Sequence, residues 1–357
     1  MKQRFYRLNR ILKTDPNYII LLGERSNGKS YSVKEYVIDD FLKNGNQFIY
    51  LRRYQLETKA NAVEEYFEDM PIEQMTDGKY NSIICWRGSI YFAKRDEEEP
   101  NKVEKGERIG YVHYLSGAQH FKSRMFPKVF SIIYEEFVSK DIYIYDEPNE
   151  LLDYVSTVLR RRNGLVFMIG NTISRVCPYF NEWELRNIPR MKQGQIDTYD
   201  MDTREVDENG NKITVRISVE YCENSGKGST MFFGKSAENI NGGAWKTELR
   251  PRLPKKLEEY YKIYELEIRH MGFSFILQLL SDNENILLYA YPNTKRRRVE
   301  RVITHEFSEN RLVTRHLQDN IRPEKIIRFL LNENKICFSD NLTGSDFIQI
   351  LNEMGGV

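Results

Sequence analysis

The 357-residue sequence contains no run of about 18 apolar residues, the length that a membrane-spanning helix requires. Its first residues, MKQRFYRLNRILK, lack both a long apolar stretch and a small-residue cleavage site, so we expect no secretory signal. The cysteines are too far apart for a zinc site or a disulfide framework, which predicts reduced thiols in a cytoplasm. They are Cys85, Cys177, Cys222 and Cys337.

The sequence also lacks an excess of either charge. Its 53 basic and 52 acidic residues give a formal net charge of +1. This balance argues against a protein that coats nucleic acid electrostatically, although it allows a local grip. The length and the 40% hydrophobic content are those of an ordinary globular chain with two domains.

The chain up to residue 198 alternates short apolar runs with amphipathic stretches. Residues 30–43 have apolar side chains at helical spacing, and residues 149–161 predict a second helix after Pro148. Such alternation predicts an α/β domain with a largely parallel sheet. The predicted buried strands are Asn17–Leu22, Gln47–Arg52, Val129–Tyr134 and Leu165–Gly170, and Ser82–Trp86 with Ser89–Ala93 predict a hairpin.

The composition changes after residue 198. Residues 199–228 are polar, and Asn209–Gly210 lies between two alternating runs, which predicts a β-hairpin within a joining segment. Residues 229–357 are predicted to form the second domain. Within it we expect a helix over residues 254–269, strands at Phe273–Leu280 and Ile286–Tyr291, and a helix near Glu324–Leu331.

A phosphate-binding loop is the sharpest motif in the sequence. Gly23–Ser30, GERSNGKS, fits the pattern GxxxxGK[ST], follows an apolar strand and opens a helical stretch. Gly23 and Gly28 let the backbone N–H groups point at phosphate oxygens, and the helix N-terminus adds partial positive charge. Lys29 is expected to reach the β- and γ-phosphates, and the Ser30 hydroxyl to reach Mg²⁺.

Arg25 lies inside the same loop. Its guanidinium is placed either to contact phosphate or to lie in solvent, and we carry it as a candidate ATP ligand.

An ATPase of this kind needs acidic residues at the end of a neighbouring strand, one for the metal and one for the attacking water. Two pairs qualify from pattern alone: Glu135–Glu136, which follows the better buried strand, and Asp146–Glu147. Asn171 ends another apolar strand and suits a γ-phosphate sensor or a simple turn.

Two basic runs are further candidates. Arg160–Arg162 lies near the end of a predicted helix, where it serves either as an arginine finger for a neighbouring subunit or as a complement to the helix dipole. The densest run in the second domain suits nucleic-acid phosphates or a solvated turn. It comprises Lys295, Arg296, Arg297 and Arg298.

Several stretches together resemble the DNA-packaging (encapsidation) ATPase of phi29-like small tailed bacteriophages. They are GERSNGKS, GNQFIYLRRY, YLSGAQHFKSRMFP, VFSIIYEEF and VLRRRNGLVFMIGN, and they cover most of residues 1–198. The resemblance implies an ASCE/RecA-like P-loop NTPase fold with helices on both faces of the sheet. It also implies a small α+β C-terminal domain that resembles an RNase H-type nuclease without its cutting residues.

The same resemblance implies an ATPase, dependent on ATP and Mg²⁺, that pumps double-stranded DNA through a portal into a procapsid. It implies a homomeric ring, expected to be a pentamer, that acts in the host cytoplasm and is transiently docked on the procapsid. Whether a structural packaging RNA is a further partner is left open by the resemblance.

Position by position, Gly23–Ser30 match the Walker A loop and Glu136 matches the catalytic glutamate. Glu135 stands where the family has the metal-binding aspartate, so this pair is favoured over Asp146–Glu147. The extra methylene of Glu135 is tolerable because Mg²⁺ usually keeps several waters.

Three further positions carry over from the resemblance. Lys122 matches a basic residue that acts across the subunit interface, with its neighbour Arg124 as a second candidate for that role. Arg160 matches the arginine finger, and Asn171 matches the sensor.

Three other functions remain open at this point: a large terminase with an active C-terminal nuclease, a nucleotide-binding scaffold of the portal without turnover, and a plasmid-mobilising or chromosome-segregating pump of related ATPase type. A nuclease of the RNase H type needs carboxylates that converge on two metals. The strand predicted as central, Phe273–Leu280, has no acid before Asp282, so we expect no cutting. Glu265, Glu267 and Asp340 are the acids that the fold would have to bring together.

Overall fold

The computed structural model contains two compact units, which are described separately. The first unit is formed by residues 6–139, 143–172 and 185–223, and the second by residues 174–184 and 249–355. No helix in the described part of the chain is long and apolar enough to cross a membrane. The residues described are 6–24, 27–96, 98–99, 102–122, 124–139, 143–160, 162–172, 174–206, 210, 212–223, 249–294, 299, 301–305, 308–310 and 312–355.

A nine-stranded sheet runs through the described residues of the first unit. Its strands are β1 (Tyr18–Gly23), β2 (Gln47–Arg52), β3 (Ser82–Trp86), β4 (Ser89–Arg95), β5 (Val103–Tyr114), β6 (Val129–Glu135), β7 (Leu165–Asn171), β8 (Ile196–Val206) and β9 (Lys212–Tyr221). The spatial order is β3-β4-β5-β2-β6-β7-β1-β9-β8. The six strands from β5 to β9 in this order are parallel, and the outer strands are antiparallel. The predicted large, mostly parallel sheet is therefore confirmed.

Helices cover both faces of this sheet. They are α1 (Asn9–Leu12), α2 (Lys29–Asn44), α3 (Ala60–Phe67), α4 (Ile72–Met75) and α5 (Glu147–Leu159), with 3-10 helices at Gln55–Thr58, Leu115–Phe121 and Ile188–Arg190. Val33 and Val37 of α2 share one core with Phe67 of α3. Helix α5 lies on the opposite face, because the Tyr134 hydroxyl from β6 donates a hydrogen bond to Glu147 at its first residue.

The segment predicted to join the domains differs in the structure. Most of residues 199–228 that are described belong to β8 and β9, and β9 pairs in parallel with β1, Tyr18 opposite Ile217. The cause is the apolar second half of β9: Ile217, Val219 and Tyr221 are buried and need a sheet neighbour. The hairpin thus extends the large sheet, while Asn209 of its predicted turn lies outside the described residues.

The second unit has a six-stranded sheet in its described part. Its elements are α6 (Pro178–Glu182), a 3-10 helix (Leu257–Glu259), β10 (Tyr261–His270), β11 (Phe273–Ser281), β12 (Ile286–Pro292), β13 (Val302–Ile303), β14 (Val313–Thr314), α7 (Arg322–Asn332), β15 (Ile336–Phe338) and α8 (Asn341–Glu353). The order is β14-β13-β10-β11-β12-β15. Strand β11 is antiparallel to both of its neighbours, β10 and β12; β13 is parallel to β10, β14 is parallel to β13, and β15 is parallel to β12.

The helix predicted over residues 254–269 is wrong, because most of it forms β10. Leu266 and Ile268 alternate with Glu265 and Glu267, a period-two pattern, and the two apolar side chains lie fully in the core of this unit. The charged residues favour a helix locally, but antiparallel pairing with β11 and burial of the alternating face override that preference.

Candidate active site

The end of β1 delivers the phosphate-binding loop to one edge of the sheet. Gly23 has φ 151°, and a Cβ there would lie 2.9 Å from Asn27 Nδ2 and 3.3 Å from the Cys222 carbonyl oxygen, so only glycine fits. Gly28 has φ 92° and caps the start of α2. Arg25, the predicted phosphate contact inside the loop, lies outside the described residues.

Lys29, the first residue of α2, is held inside the loop. Its ammonium donates to the Glu24 carbonyl oxygen at 2.5 Å and to Asn27 Oδ1 at 3.1 Å, and the residue is only 4% exposed. Burial lowers the pKa of Lys29, against the opposing effect of Cys222, Glu135 and Glu24. The loop therefore places a cation at the N-terminus of α2, where oxyanions bind.

Ser30 and Glu135 connect the loop to the neighbouring strand. The Ser30 hydroxyl donates to Glu135 Oε1 at 2.8 Å, and the Tyr66 hydroxyl from α3 donates to Glu135 Oε2 at 2.9 Å. Burial raises the pKa of the Glu135 carboxyl, while these two hydrogen bonds oppose the rise. Each oxygen of this carboxylate is thus fixed by one hydroxyl. The glutamate side chain, one methylene longer than aspartate, extends from the end of β6 to both hydroxyls.

Strand β7 separates β1 from β6 and brings in the predicted sensor. Asn171 is the last residue of β7 and lies in register beside Gly23. Glu135 is the register neighbour of Ile169 in the same strand, two residues earlier. The carboxyl ends of three parallel strands therefore supply the loop, the acids and the amide at one edge of the sheet.

Glu136 turns away from the strand in a left-handed conformation, with φ 57°. Its Oε2 accepts a hydrogen bond from Arg52 Nη2 at 2.7 Å, and the same nitrogen donates to Glu57 Oε1 at 2.9 Å. Glu136 is about half exposed, with a side chain 52% accessible, so Arg52 at the end of β2 fixes its direction.

These side chains surround a cavity of about 730 Å³. Its lining consists of Asn27, Gly28, Lys29, Ser30, Tyr31, Lys34, Asp69, Glu135, Glu136 and Asn171. Asn27 is 2% exposed, and its Nδ2 has no hydrogen-bond acceptor among the described residues. A buried donor without an acceptor is costly, so this amide is suited to an oxyanion bound in the cavity.

The second acidic pair has a structural role instead. The Glu147 carboxylate accepts from Arg53 Nε at 2.8 Å, from the Tyr134 hydroxyl at 2.6 Å and from the Ile144 amide at 3.0 Å. Glu147 is 1% exposed and lies outside the lining of the nucleotide-sized cavity. It is a buried ion-pair partner, and Asp146 beside it occupies the N-cap position of α5, without a side-chain capping hydrogen bond in the described structure.

The two residues predicted to act across a subunit interface do not line the cavity. Lys122 forms an ion pair with Asp153 at 3.0 Å, and Arg160 ends α5 with φ 53° and ψ −123°. Arg162 is engaged, since it donates to the carbonyls of Phe126 and Val158. The basic run Lys295, Arg296, Arg297 and Arg298 lies outside the described residues, as does Arg161.

Sequence reasoning missed Tyr66, Lys34 and Asp69 as parts of this region. Tyr66 and Glu135 are 69 positions apart, and no local pattern couples a helical tyrosine to a strand-end acid. Arg52 could have been found from the sequence, because the stretch GNQFIYLRRY places two arginines at the exit of β2. Among the described residues, no group of three or more His, Cys, Asp or Glu side chains is placed to hold a metal ion.

The comparisons with known proteins agree on one family. The model of the family described as Podovirus DNA encapsidation protein (Gp16) matches residues 1–211. DNA packaging proteins of Bacillus phages PZA and phi29 are each 33% identical over 183 residues, which is 50% of this chain and 50% of theirs. The matched region thus spans about half the length of these curated relatives.

The chain is also similar to solved structures. The bacteriophage Phi-29 viral genome packaging motor assembly contains a chain that is 21% identical, with a TM-score of 0.56, over 98% of this chain and 99% of that one. The N-terminal domain of the phi29 DNA packaging ATPase is 26% identical with a TM-score of 0.46, over 64% of this chain and 99% of that one. The first of these similarities establishes a shared fold.

Proposed function

The chain belongs to the Podovirus DNA encapsidation protein (Gp16) family, and from this premise we propose that it is an ATP-driven motor that moves double-stranded DNA through a portal into a procapsid. We place it in the host cytoplasm and, during assembly, on the procapsid. Its substrates on this proposal are ATP and DNA, and its cofactor is Mg²⁺.

The observation that carries the proposal is the contact between Ser30 and Glu135. It joins the phosphate-binding loop to the acidic strand end at 2.8 Å, with Glu136 next in the chain and facing the same cavity. A serine hydroxyl and a carboxylate at this distance form the pair of oxygen ligands that Mg·ATP uses in P-loop enzymes. The residues present therefore fit a hard, oxygen-preferring cation.

Each side chain then has a distinct task. Lys29 and the amide of Asn27 hold phosphate oxygens, and bound Mg²⁺ would neutralise charge on those oxygens from Ser30 and Glu135. Glu136 takes a proton from the attacking water, with its carboxylate oriented by Arg52. Asn171 contacts the γ-phosphate from the end of β7.

Hydrolysis on this proposal is completed by a neighbouring subunit in a ring, with a pentamer as the expected form. Arg160 at the end of α5 and Lys122 after the 3-10 helix lie outside their own subunit's nucleotide cavity. A cation delivered from a neighbour stabilises charge that develops on the transferred phosphoryl group. Lys122 would exchange its pair with Asp153 for that contact.

We further propose that the second unit is a small α+β domain of the RNase H type that does not cut. The support is part of its strand order: within β15-β12-β11-β10-β13-β14, strand β11 is antiparallel to β12 and β10, and β13 and β14 follow β10 in parallel. Glu265 and Glu267 lie on its central strand, and both are occupied by side chains from the same sheet.

Two variants in one helix test the proposed activity. Lys29→Ala removes the phosphate-contacting cation, while Lys43→Ala removes an exposed lysine of α2 that pairs with Asp39 on the same helix. We expect Lys29→Ala to lose DNA-stimulated ATP hydrolysis and protection of DNA inside procapsids, and Lys43→Ala to retain both. Packaging that persists in Lys29→Ala refutes the motor.

Mixed rings test the action between subunits. Lys29→Ala and Arg160→Ala proteins, each inactive alone, should regain hydrolysis on mixing, because some interfaces then combine an intact loop with an intact arginine. The control uses Arg322→Ala, at an exposed position of the second unit, in place of Arg160→Ala. The Arg322→Ala protein should hydrolyse ATP on its own, without mixing. Mixtures that stay inactive would exclude hydrolysis across the interface.

A further inference from the structure

A second cavity of about 760 Å³ lies in the first unit, away from the nucleotide cavity. It lies between the turn joining β3 to β4, the strand β5 and the residues that follow the 3-10 helix Leu115–Phe121. Arg87, Arg108 and Arg124 each line it, from three separate segments of the chain. Its described lining contains no aspartate or glutamate.

The three arginines have no carboxylate partner among the described residues. This sets them apart from nearby basic side chains such as Lys79, which pairs with Glu107, and Arg95, which pairs with Glu64. Three exposed cations without one create a local field that attracts anions.

Each guanidinium lies against an aromatic ring instead. Arg87 is 4.5 Å from the centre of the Trp86 ring, Arg108 is 4.7 Å from Tyr111, and Arg124 is 5.8 Å from Phe121. Stacking orients the planar guanidinium while its N–H groups remain available at the edge. This geometry suits bidentate hydrogen bonds to phosphate oxygens.

The size of the cavity selects among anions. A single inorganic phosphate needs one or two such cations, whereas cations from three segments around 760 Å³ match a chain of phosphates. Exposed Met125, 68% accessible, and the ring of Tyr111 supply apolar surface for sugars or bases between them.

We propose that this cavity binds the phosphodiester backbone of a nucleic acid. The inference rests on the proposed function in one respect, the choice of a nucleic acid as the polyanion. DNA and RNA share this chemistry, and the experiment separates them as sources.

The test compares two triple variants that each remove three positive charges. One is Arg87→Ala, Arg108→Ala and Arg124→Ala; the control is Arg7→Ala, Arg190→Ala and Arg315→Ala, three exposed arginines outside the cavity. Binding of fluorescent duplex DNA, duplex RNA and single-stranded RNA is measured without ATP over a salt series. We expect the cavity variant alone to lower the slope of log affinity against log salt by about 2–3 for one of these probes.

Three further variants guard against a folding artefact. The triple change to lysine keeps the charge and should retain most of the salt slope, while weakening affinity about tenfold or less, because the bidentate fork is lost. Met125→Cys should form a crosslink to a nucleic acid that carries a thiol-reactive group on its backbone, and Leu312→Cys, exposed in the second unit, should not. Equal slopes for the cavity and control variants with every probe, or no crosslink at Met125→Cys, would overturn the inference.

The outcomes separate this inference from the motor proposal. Cavity-dependent binding in a protein that fails to hydrolyse ATP would refute the motor and retain the nucleic-acid site. Normal DNA-stimulated hydrolysis, together with nucleic-acid binding that does not depend on the three arginines, would retain the motor and refute the nucleic-acid site.

Discussion

The end of β6 in the first unit and the strand β10 in the second both carry two glutamates, but they use them differently. Glu135 and Glu136 face a cavity of about 730 Å³ beside a phosphate-binding loop. Glu265 and Glu267 are nearly inaccessible, 6% and 3% exposed, along the centre of a sheet. The contrast lies in their surroundings, since the residue types are the same.

The contacts explain the contrast. Glu265 accepts from Gln278 Nε2 at 2.6 Å, and Glu267 accepts from Arg269 and from the Ser274 hydroxyl at 2.7 Å. Donors within the sheet therefore occupy these carboxylates, as a buried charge requires. At the end of β6 the donors come from three different elements and hold the acids at the wall of a cavity. The glutamates at the end of β6 are candidates for catalysis because their hydrogen-bond donors hold them at the wall of a cavity. The residue type alone does not show this difference.

The largest expected effect concerns the third kind of glutamate, the buried ion-pair partner. Glu147→Ala leaves Arg53 buried without its partner and should lower the free energy of unfolding by about 3–5 kcal/mol, as measured by urea denaturation. Glu107→Ala, which breaks an exposed pair with Lys79, is the control and should leave stability nearly unchanged. A stable Glu147→Ala protein without ATP hydrolysis would make Asp146–Glu147 the catalytic pair.

A smaller effect is expected at the hydroxyl that fixes Glu135. Tyr66→Phe removes one hydrogen bond to a carboxylate, worth about 1.5 kcal/mol, and should raise the Mg²⁺ concentration for half-maximal hydrolysis about tenfold. Tyr36→Phe is the matched control, because its ring packs on Phe167 and its hydroxyl has no hydrogen-bond partner in the described structure. Equal Mg²⁺ dependence in both variants would show that Tyr66 does not orient Glu135.

Backbone strain at the end of α5 gives the next prediction. Arg160 has φ 53° and ψ −123°, a conformation that favours glycine, so Arg160→Gly should raise the free energy of unfolding by about 1 kcal/mol while it abolishes hydrolysis. Arg160→Ala loses the same charge but keeps a Cβ, and should lose activity without gaining stability. If the two variants unfold at the same urea concentration, the strain is absent.

The smallest effect is expected in the second unit. The double variant Glu265→Gln and Glu267→Gln should behave like the unmodified chain towards plasmid DNA with Mg²⁺ or Mn²⁺, neither protein nicking it. Cleavage by the unmodified chain that this double variant abolishes would favour a large terminase with an active nuclease.

Much of the first unit followed from local patterns. The loop Gly23–Ser30, the strand ahead of it and the hairpin at Ser82–Ala93 are each encoded within a few residues. The structure has the strand, the hairpin and the described ends of the loop. Strand β5 went unpredicted because its polar first half, from Val103, resembles a loop. The choice between Glu135 and Glu147 could not be made from pattern, since it depends on Arg53 and Ser30, which come from distant segments.

The secondary structure of the second half of the chain was less predictable from local sequence patterns. Residues 261–270 are rich in lysine and glutamate, and only pairing with β11 makes their alternation the deciding signal. The polar start of β9 likewise concealed an apolar end that joins β1 across about 200 residues of chain. Contacts of such sequence separation leave no local trace.

ATP hydrolysis by Glu136→Gln tests the central claim most directly, namely that the end of β6 is the catalytic end of the sheet. Its side chain is half exposed, so the substitution should leave folding and ATP binding intact. Single-turnover hydrolysis should fall at least about a hundredfold relative to the unmodified chain, with nucleotide affinity unchanged. Hydrolysis at the original rate in Glu136→Gln would contradict the account.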